Sequence, residues 1–479
     1  MKLGRHLLGY APVKLVAALC SFGGIYVFTR LLGADEYGRY ALMFSVMALI
    51  HTFSLTWVEA SAYRFTARAK AEHKLPDHFR TSLALVLRAM IVALGLVGIL
   101  LLATWNYPNY RAFVPYIALL LPFNTLIKIG LEAHRASQQV RRYVLIAISK
   151  SMIGFVVGSF LAWKSGLGAV APFAGLVTAS ALLALVEGKW LLKQAVGGLI
   201  DPSMQRKWPV YGIPTSIALV LDMMLSSVDR FLIAYFMDEA AVGGYAAGYG
   251  VADKTVLMLC AWVAMSSSPL VMEAYEKEGP VAAHAQAKGF ARMLLLIGLP
   301  AAAGLALVAA PLSEAMIGES LRDQAREIIP WIAFAGLFNG LLIHYFSESF
   351  QLAHKTGTRA ALMVIPVVGN ILLNILLIPK FGVMGAVWAT VICYVGAVVL
   401  LALVGRRYLA LPIPLKDLAL ISIACAAMWP VIHFIPTLGG WAELLLKVIA
   451  GGLVYGATVV ILNAAGARDF AKRILARAG

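Results

Sequence analysis

Apolar runs of roughly 20 residues recur from one end of this chain to the other, and each could cross a hydrocarbon core of about 30 Å. No other feature limits its fold so strongly. In lipid every backbone N–H and C=O must be paired internally, so a spanning segment is a helix or a strand of a closed barrel. The period-2 alternation of a barrel is absent. The expected fold is therefore all-α, a polytopic membrane protein of about 14 transmembrane helices. Their expected limits are 12–30, 39–60, 83–105, 112–133, 143–163, 168–192, 211–236, 242–270, 288–310, 328–351, 359–379, 383–404, 416–436 and 442–463. The first run is read as a retained helix.

The connections are short. Only 13% of the 479 residues are charged, against roughly 25% in soluble domains. The longest outer connection, 311–327, reads as a short amphipathic helix and leaves no room for a soluble catalytic domain. No Walker A loop, HExxH, CxxC or GxSxG pattern occurs. The four cysteines, Cys20, Cys260, Cys393 and Cys425, fall within apolar runs without metal-ligand spacing and read as small core residues. No metal and no catalytic residue is expected.

The net charge of +16 raises the question of nucleic acid, but the basic residues sit in short loops, where they set topology. With the N-terminus (Lys2, Arg5, Lys14) inside, the inner loops carry Arg64, Arg68, Lys70, Lys74 and Arg80, then Arg135, Arg141 and Arg142, then Lys189, Lys193, Arg206 and Lys207. Lys277, Lys288 and Arg292 follow, then Lys355 and Arg359, then Arg406, Arg407 and Lys416, and the tail adds Arg468, Lys472, Arg473 and Arg477. The outer connections are poorer in cations. Both termini are expected to be cytoplasmic, and no nucleic-acid partner is expected.

The chain carries an internal echo. Gly38-Arg-Tyr-Ala-Leu-Met-Phe-Ser-Val falls on Gly243-Gly-Tyr-Ala-Ala-Gly-Tyr-Gly-Val, and both open an even-numbered span after an outer turn. Gly168-Ala-Val matches Gly385-Ala-Val, after turns containing Lys164-Ser-Gly and Lys380-Phe-Gly. The offsets suggest a six-span unit used twice in the same orientation: an N-terminal lobe over 1–203 and a C-terminal lobe over 204–410. Two additional helices and a basic tail occupy 411–479. Like-oriented repeats around a midplane cavity suit alternating access.

A charge at the bilayer centre costs roughly 2.5–3.5 kcal/mol even on a lenient scale, so charges within spans are the candidate functional residues. Arg88, Lys128 and Lys150 lie within about two turns of inner helix ends and could snorkel. Lys128 also has Glu132 one turn away as a structural partner. Glu187 and Glu348 fall near inner ends, where solvation is expected. Asp222 lies near the middle of the seventh span, with Asp229 and Arg230 beyond it; Asp253 and Lys254 lie near the middle of the eighth. These acids either lock helices together or line a wet cavity. Asn370 and Asn374 share a face of the eleventh span and could join helices or meet a ligand.

Arg30-Leu-Leu-Gly-Ala-Asp-Glu-Tyr-Gly-Arg-Tyr-Ala, Asp229-Arg-Phe-Leu-Ile-Ala-Tyr-Phe followed by Ala241-Val-Gly-Gly-Tyr-Ala-Ala, and Leu373-Asn-Ile-Leu-Leu-Ile-Pro-Lys-Phe-Gly-Val-Met-Gly-Ala-Val-Trp-Ala-Thr occur in this order. Together they resemble the polysaccharide transport family, the Wzx-type flippases of the multidrug/oligosaccharidyl-lipid/polysaccharide exporter superfamily. The resemblance implies two six-helix lobes around a central cavity and no covalent catalytic step. It implies a flippase for an undecaprenyl-diphosphate-linked oligosaccharide in the bacterial inner membrane, serving O-antigen, capsule or exopolysaccharide assembly. Membrane lipids, and the polymerase and chain-length proteins of such a pathway, are the implied partners. The available cavity cations are Arg30, Arg88, Lys128, Lys150, Arg230 and Lys254; only Arg30 and Arg230 lie within the resembling motifs. Asn370, Asn374, Tyr245 and Tyr249 are candidate sugar contacts. No cofactor is implied: the membrane potential could drive export, or Asp222, Asp229 or Asp253 could couple it to H⁺ or Na⁺. The alternatives are a cation-coupled drug or metabolite antiporter or a lipid II flippase of the same superfamily, and, from another class, a membrane polysaccharide polymerase or ligase.

Overall fold

The computed structural model describes residues 2–469, with side chains from residue 12 onward. The basic residues Lys2, Arg5, Lys472, Arg473 and Arg477, invoked above for topology, lie outside the residues whose side chains are described. Among the described residues there is no strand; helices joined by short turns make up the fold. In order they are α1 (Lys2–Leu31), α2 (Ala34–Ser54), α3 (Thr56–Ala71), α4 (Leu75–Ala103), α5 (Pro108–Arg111), α6 (Val114–Ala136), α7 (Val140–Lys164), α8 (Ala171–Gln194) and α9 (Pro202–Phe236). Then follow α10 (Glu239–Glu278), α11 (Pro280–Leu307), α12 (Ala309–Met316), α13 (Glu319–Leu341), a π-helical turn at Leu342–Phe346, α14 (Glu348–Leu352), α15 (Thr356–Phe381), α16 (Val383–Gly405), α17 (Leu415–Phe434) and α18 (Gly440–Leu462).

Twelve of these helices are long and apolar enough to cross a membrane, and the bent pair α2–α3 raises the number to 13. The remaining expected span, the seventh at 211–236, falls within α9, which is 35 residues long but is not among those 12. The expected outer amphipathic helix over 311–327 is two pieces: the 8-residue α12 and the first turns of α13.

The chain divides into two compact units, residues 1–224 and 225–479, with the division inside α9. In the first unit α8 packs against α6 and α7, α1 against α7, and α3 and α4 against α6. Gly154 and Gly158, four residues apart on α7, let α8 come close: a Cβ on Gly175 would stand 2.5 Å from the Gly158 Cα. Small residues at this spacing bring membrane helices into backbone contact. In the second unit α10 packs against α11 and α13, α15 against α16, and α17 against α18 and α11. Tyr455 on α18 donates to the Leu296 carbonyl of α11 at 2.7 Å, and Leu295, Ile421, Ala424, Cys425 and Val459 form a local apolar core.

The turns paired by the second sequence echo each carry a glycine at positive φ, Gly166 (+65°) and Gly382 (+57°), where other residues are strained. The expected span 39–60 is not straight. It breaks at Leu55, where α2 and α3 meet at 51°. Ser54 Oγ donates back to the Ile50 carbonyl at 2.5 Å, a bond that competes with the helix ladder and bends helices.

The connection into α9 is fastened from one side. Asp77 accepts the Leu199 amide at 2.7 Å and Thr81 Oγ1 accepts the Asp201 amide at 3.0 Å. Asp201 in turn caps α9 by accepting the Ser203 amide at 2.7 Å. Hydrogen bonding from Ser203 holds its carboxyl below the usual carboxylate range.

Candidate functional site

Among the described residues, each unit gathers candidate functional residues into a polar cluster inside its helical layers. The first lies where α2, α3, α6 and α7 approach. The break at Leu55 matters here, because it folds Glu59 of α3 back towards His51 of α2. In a straight helix the two would be separated by about 12 Å along the axis; here His51 Nε2 lies 2.9 Å from Glu59 Oε1. Lys128 Nζ of α6 completes the group, 3.2 Å from Glu59 Oε2 and 3.0 Å from His51 Nε2. His51 Nδ1 is buried and meets no partner among the described residues. A carboxylate oxygen only accepts, so His51 Nε2 donates to Glu59 Oε1, and Lys128 Nζ makes its hydrogen bond to Glu59 Oε2. Glu59 thus accepts from both neighbours.

Exposure separates the roles. The His51 and Glu59 side chains are 5% and 6% exposed, whereas that of Lys128 is 39% exposed. The buried pair holds a lysine whose side chain is partly exposed. Lys150 of α7 donates to Asn124 Oδ1 of α6 and lies within electrostatic reach of Lys128 and Glu59. Glu132, paired with Arg135, lies within the same reach, so two carboxylates face three cations and the cluster carries a surplus positive charge.

The expected Lys128–Glu132 pair does not form. Lys128 turns to Glu59, and Glu132 meets Arg135 at 3.5 Å instead. A tertiary carboxylate buried beside the lysine outcompetes a solvated partner on the same helix. Glu187 and Glu348 are not solvated either. The Glu187 side chain is fully buried, accepting His134 Nε2 at 2.8 Å and Arg142 Nη2 at 2.8 Å, with the Arg142 guanidinium over the Trp190 ring. Glu348 is buried and accepts the Ser268 hydroxyl at 2.5 Å. Both lie on faces covered by neighbouring helices, so distance from the helix end did not decide their solvation.

The second cluster surrounds Asp229 of α9, which is fully buried. Tyr245 Oη of α10 donates to Oδ2 at 2.5 Å, Thr390 Oγ1 of α16 to the same oxygen at 2.8 Å, and Asn374 Nδ2 of α15 to Oδ1 at 3.2 Å. Asn374 Nδ2 also lies 3.1 Å from Asn370 Oδ1. Asn374 Oδ1 and Asn370 Nδ2 are buried without partners among the described residues. A carboxylate, hydroxyls and amide oxygens, with an amide oxygen unspent, make a donor set suited to a hard cation or a proton. Above it on α10, Tyr249 Oη meets Tyr394 Oη at 3.4 Å, and Asp253 accepts Asn339 Nδ2 at 3.3 Å.

The structure therefore gathers Lys128 and Lys150 into one group, and Asp229, Tyr245, Asn370 and Asn374 into another. It encloses all the candidate sugar contacts: Tyr245, Tyr249, Asn370 and Asn374 are between 0% and 4% exposed. Within an apolar layer their hydroxyls and amides satisfy each other and the nearest carboxylate. Arg30 ends α1, exposed, donating to the Tyr26 carbonyl at 2.9 Å with its guanidinium 3.8 Å over the Tyr26 ring. Arg88 is exposed on α4 and reaches Gln205 Oε1 at 3.2 Å. Arg230 lies over the Tyr249 ring at 5.7 Å. Lys254 is exposed and Asp222 half-buried. His51, Glu59 and Thr390 were missed by the sequence reading. Glu59 was open to discovery, as an acid at the end of an apolar run.

The fold is that of an all-helical membrane protein with polar clusters inside its layers. A lipid II flippase MurJ structure, in an inward closed conformation, aligns with a TM-score of 0.73 over 97% of this chain and 99% of that one, at 17% identity. An inward-facing multidrug-resistance MATE transporter aligns with a TM-score of 0.66 over 82% of this chain and 94% of that one, at 14% identity. These likenesses establish the fold. Residues 27–326 match the family described as polysaccharide biosynthesis protein, and the chain belongs to that family. Two Haloferax volcanii proteins are similar over nearly their whole length. The probable low-salt glycan biosynthesis flippase Agl15 is 23% identical, covering 96% of each chain. The probable flippase AglR is 22% identical, covering 92% of this chain and 91% of its own.

Proposed function

We propose that the protein is a flippase that moves a lipid-linked oligosaccharide across the membrane by alternating access. The substrate we infer is undecaprenyl-diphosphate-linked, carried from the cytoplasmic to the periplasmic leaflet of a bacterial inner membrane for O-antigen, capsule or exopolysaccharide assembly. Both termini are then cytoplasmic, and the pathway's polymerase and chain-length proteins are partners.

The observation that carries this reading is the α2–α3–α6–α7 cluster. Its surplus positive charge suits a diphosphate, and Glu59 with His51 fixes the Lys128 ammonium without neutralising Lys150. Charge-assisted hydrogen bonds to phosphate oxygens are shorter and stronger than neutral ones. The lipid tail stays in the bilayer while the head group crosses, so no bond is made or broken. Outward movement of each negative charge is favoured by roughly 2.3 kcal/mol per 100 mV, inside negative. The Asp229 set offers a second drive, binding H⁺ or Na⁺ on one side and releasing it on the other.

Cells lacking the protein should accumulate the lipid-linked oligosaccharide facing the cytoplasm, and a Lys128→Gln/Lys150→Gln variant should not relieve this. Accumulation in the outer leaflet would refute the reading and indicate a polymerase or ligase acting after transfer. The Asp229 set also favours a drug or metabolite antiporter. That reading wins if the double lysine variant exports glycan normally while Asp229→Asn loses efflux of a cationic drug.

A further inference from the structure

The second unit holds a cavity of about 300 Å³ at the start of α11 and α17, bounded by the connection from α16 to α17. That volume is at the lower end of ligand pockets, which run from about 300 to 1,000 Å³. Its walls are fastened. His284 Nδ1 donates to the Ala410 carbonyl at 2.7 Å, and Tyr345 Oη to the Pro412 carbonyl at 2.7 Å. The one acid in the lining is already engaged: Asp417 Oδ2 accepts Arg292 Nε at 2.7 Å and Oδ1 accepts the Ala465 amide at 3.0 Å.

The cations are not matched in the same way. Lys288 and Lys416 line the cavity, and among the described residues neither meets a carboxylate. The Arg292 guanidinium, bonded through Nε, keeps further N–H groups. The cavity thus holds two uncompensated positive charges beside a paired one, and so selects an anion. Its remaining walls are apolar. Ile413 and Leu415 line it and are 46% and 69% exposed, and further along α17 Ile423 and Trp429 are 54% and 57% exposed. A soluble anion would gain nothing from that apolar strip. An amphiphile would satisfy both parts.

We propose that this cavity binds the phosphate of an anionic membrane phospholipid, with its acyl chains lying along α17. Basic pockets between membrane helices are known to hold anionic head groups. The lipid would tie the α16–α17 connection to α11, and so fix the last two helices against the rest of the second unit.

The test is native mass spectrometry of the full-length protein in detergent, titrated with phosphatidylglycerol or with phosphatidylcholine. The wild type should retain phosphatidylglycerol selectively. Each lysine near an anionic head group contributes about five-fold, so Lys288→Gln/Lys416→Gln should weaken retention roughly 30-fold. Lys288→Arg/Lys416→Arg should keep it. Both lysines are exposed, so the lipid-free melting temperature of each variant should match that of the wild type. Equal retention of phosphatidylglycerol by the wild type and the Gln variant would overturn the proposal. So would displacement of the lipid by inorganic phosphate at equal concentration, which would identify a soluble phosphate as the ligand.

Discussion

Replacing Gly130 by alanine should change sign as a stability effect when Glu187 is removed. Gly130 of α6 faces the buried Glu187 carboxylate of α8. A Cβ at Gly130 would stand 3.4 Å from Glu187 Cγ, 3.2 Å from Cδ and closer still to Oε2. The end of a glutamate could ordinarily swing aside. This one is held by His134 Nε2 at 2.8 Å and by Arg142 through Nη2 at 2.8 Å and Nε at 3.2 Å. Hydrogen bonds to charged groups are worth about 1.5–3 kcal/mol each, so displacing the carboxylate from one should cost about 2–3 kcal/mol. Alanine regains about 1 kcal/mol of helix propensity over glycine. The net loss for Gly130→Ala is then about 1–2 kcal/mol. Glu187→Ala alone should cost about 3–5 kcal/mol, because Arg142 and His134 lose a buried partner. In that background the obstruction is gone, and Gly130→Ala should stabilise by up to about 1 kcal/mol. Thermal unfolding of the four detergent-solubilised proteins, followed by tryptophan fluorescence, completes the cycle. If Gly130→Ala has the same sign and size in both backgrounds, the carboxylate is not the obstacle and the reasoning fails.

Three further outcomes follow from the geometry. Gly175→Ala should separate α7 from α8, since its Cβ would meet backbone of Gly158; overpacking costs about 1–3 kcal/mol or more, read as a lower melting temperature and poorer membrane yield. Tyr245→Phe removes the 2.5 Å bond to Asp229 and should lower stability by about 1.5–3 kcal/mol, an effect that a melting curve within error of the wild type would contradict. Should Na⁺ bind at Asp229, its addition would raise the melting temperature, since a ligand specific for the folded state stabilises it. Asp229→Asn should abolish that rise, and a rise retained in the variant would move the site elsewhere.

The apolar cores of the helices were legible because a run of about 20 apolar residues has few other fates. Their polar ends were not. Helix α4 begins at Leu75 and α11 at Pro280, about two turns before the apolar windows at 83 and 288. Helical turns outside the hydrocarbon carry charge, and hydropathy does not register them. The break at Leu55 was hidden for the opposite reason. Both arms are apolar enough to read as one span, and no proline or glycine marks the bend. Partner choice was the least legible link. One-turn spacing put Glu132 beside Lys128 on α6, yet the lysine pairs with Glu59 across α3. Nothing local in the sequence records which helix α6 will lie against.

The two polar clusters differ in a way that packing alone does not explain. Buried ion pairs can be replaced by hydrophobic residues with little loss or with a gain in stability, so a core built only for stability would not need them. In the first unit Glu59 answers Lys128 and leaves Lys150 in surplus, held by a neutral amide. In the second unit Asp229 is hydrogen-bonded by neutral hydroxyl and amide donors. In the proposed cycle the first arrangement takes an anion and the second a cation. Their energetic roles need not be equal. A diphosphate head group leaving an inside-negative cell gains roughly 2.3 kcal/mol per charge per 100 mV, without any counter-ion. Asp229→Asn should therefore slow glycan export and remove its dependence on Na⁺ or pH, while Lys128→Gln/Lys150→Gln should stop it. Proteoliposomes with an imposed potential and a fluorescent polyprenyl-diphosphate glycan would distinguish the two. Complete loss of potential-driven flipping in Asp229→Asn, with the protein folded, would make the acid an obligatory part of the cycle and refute this division of labour.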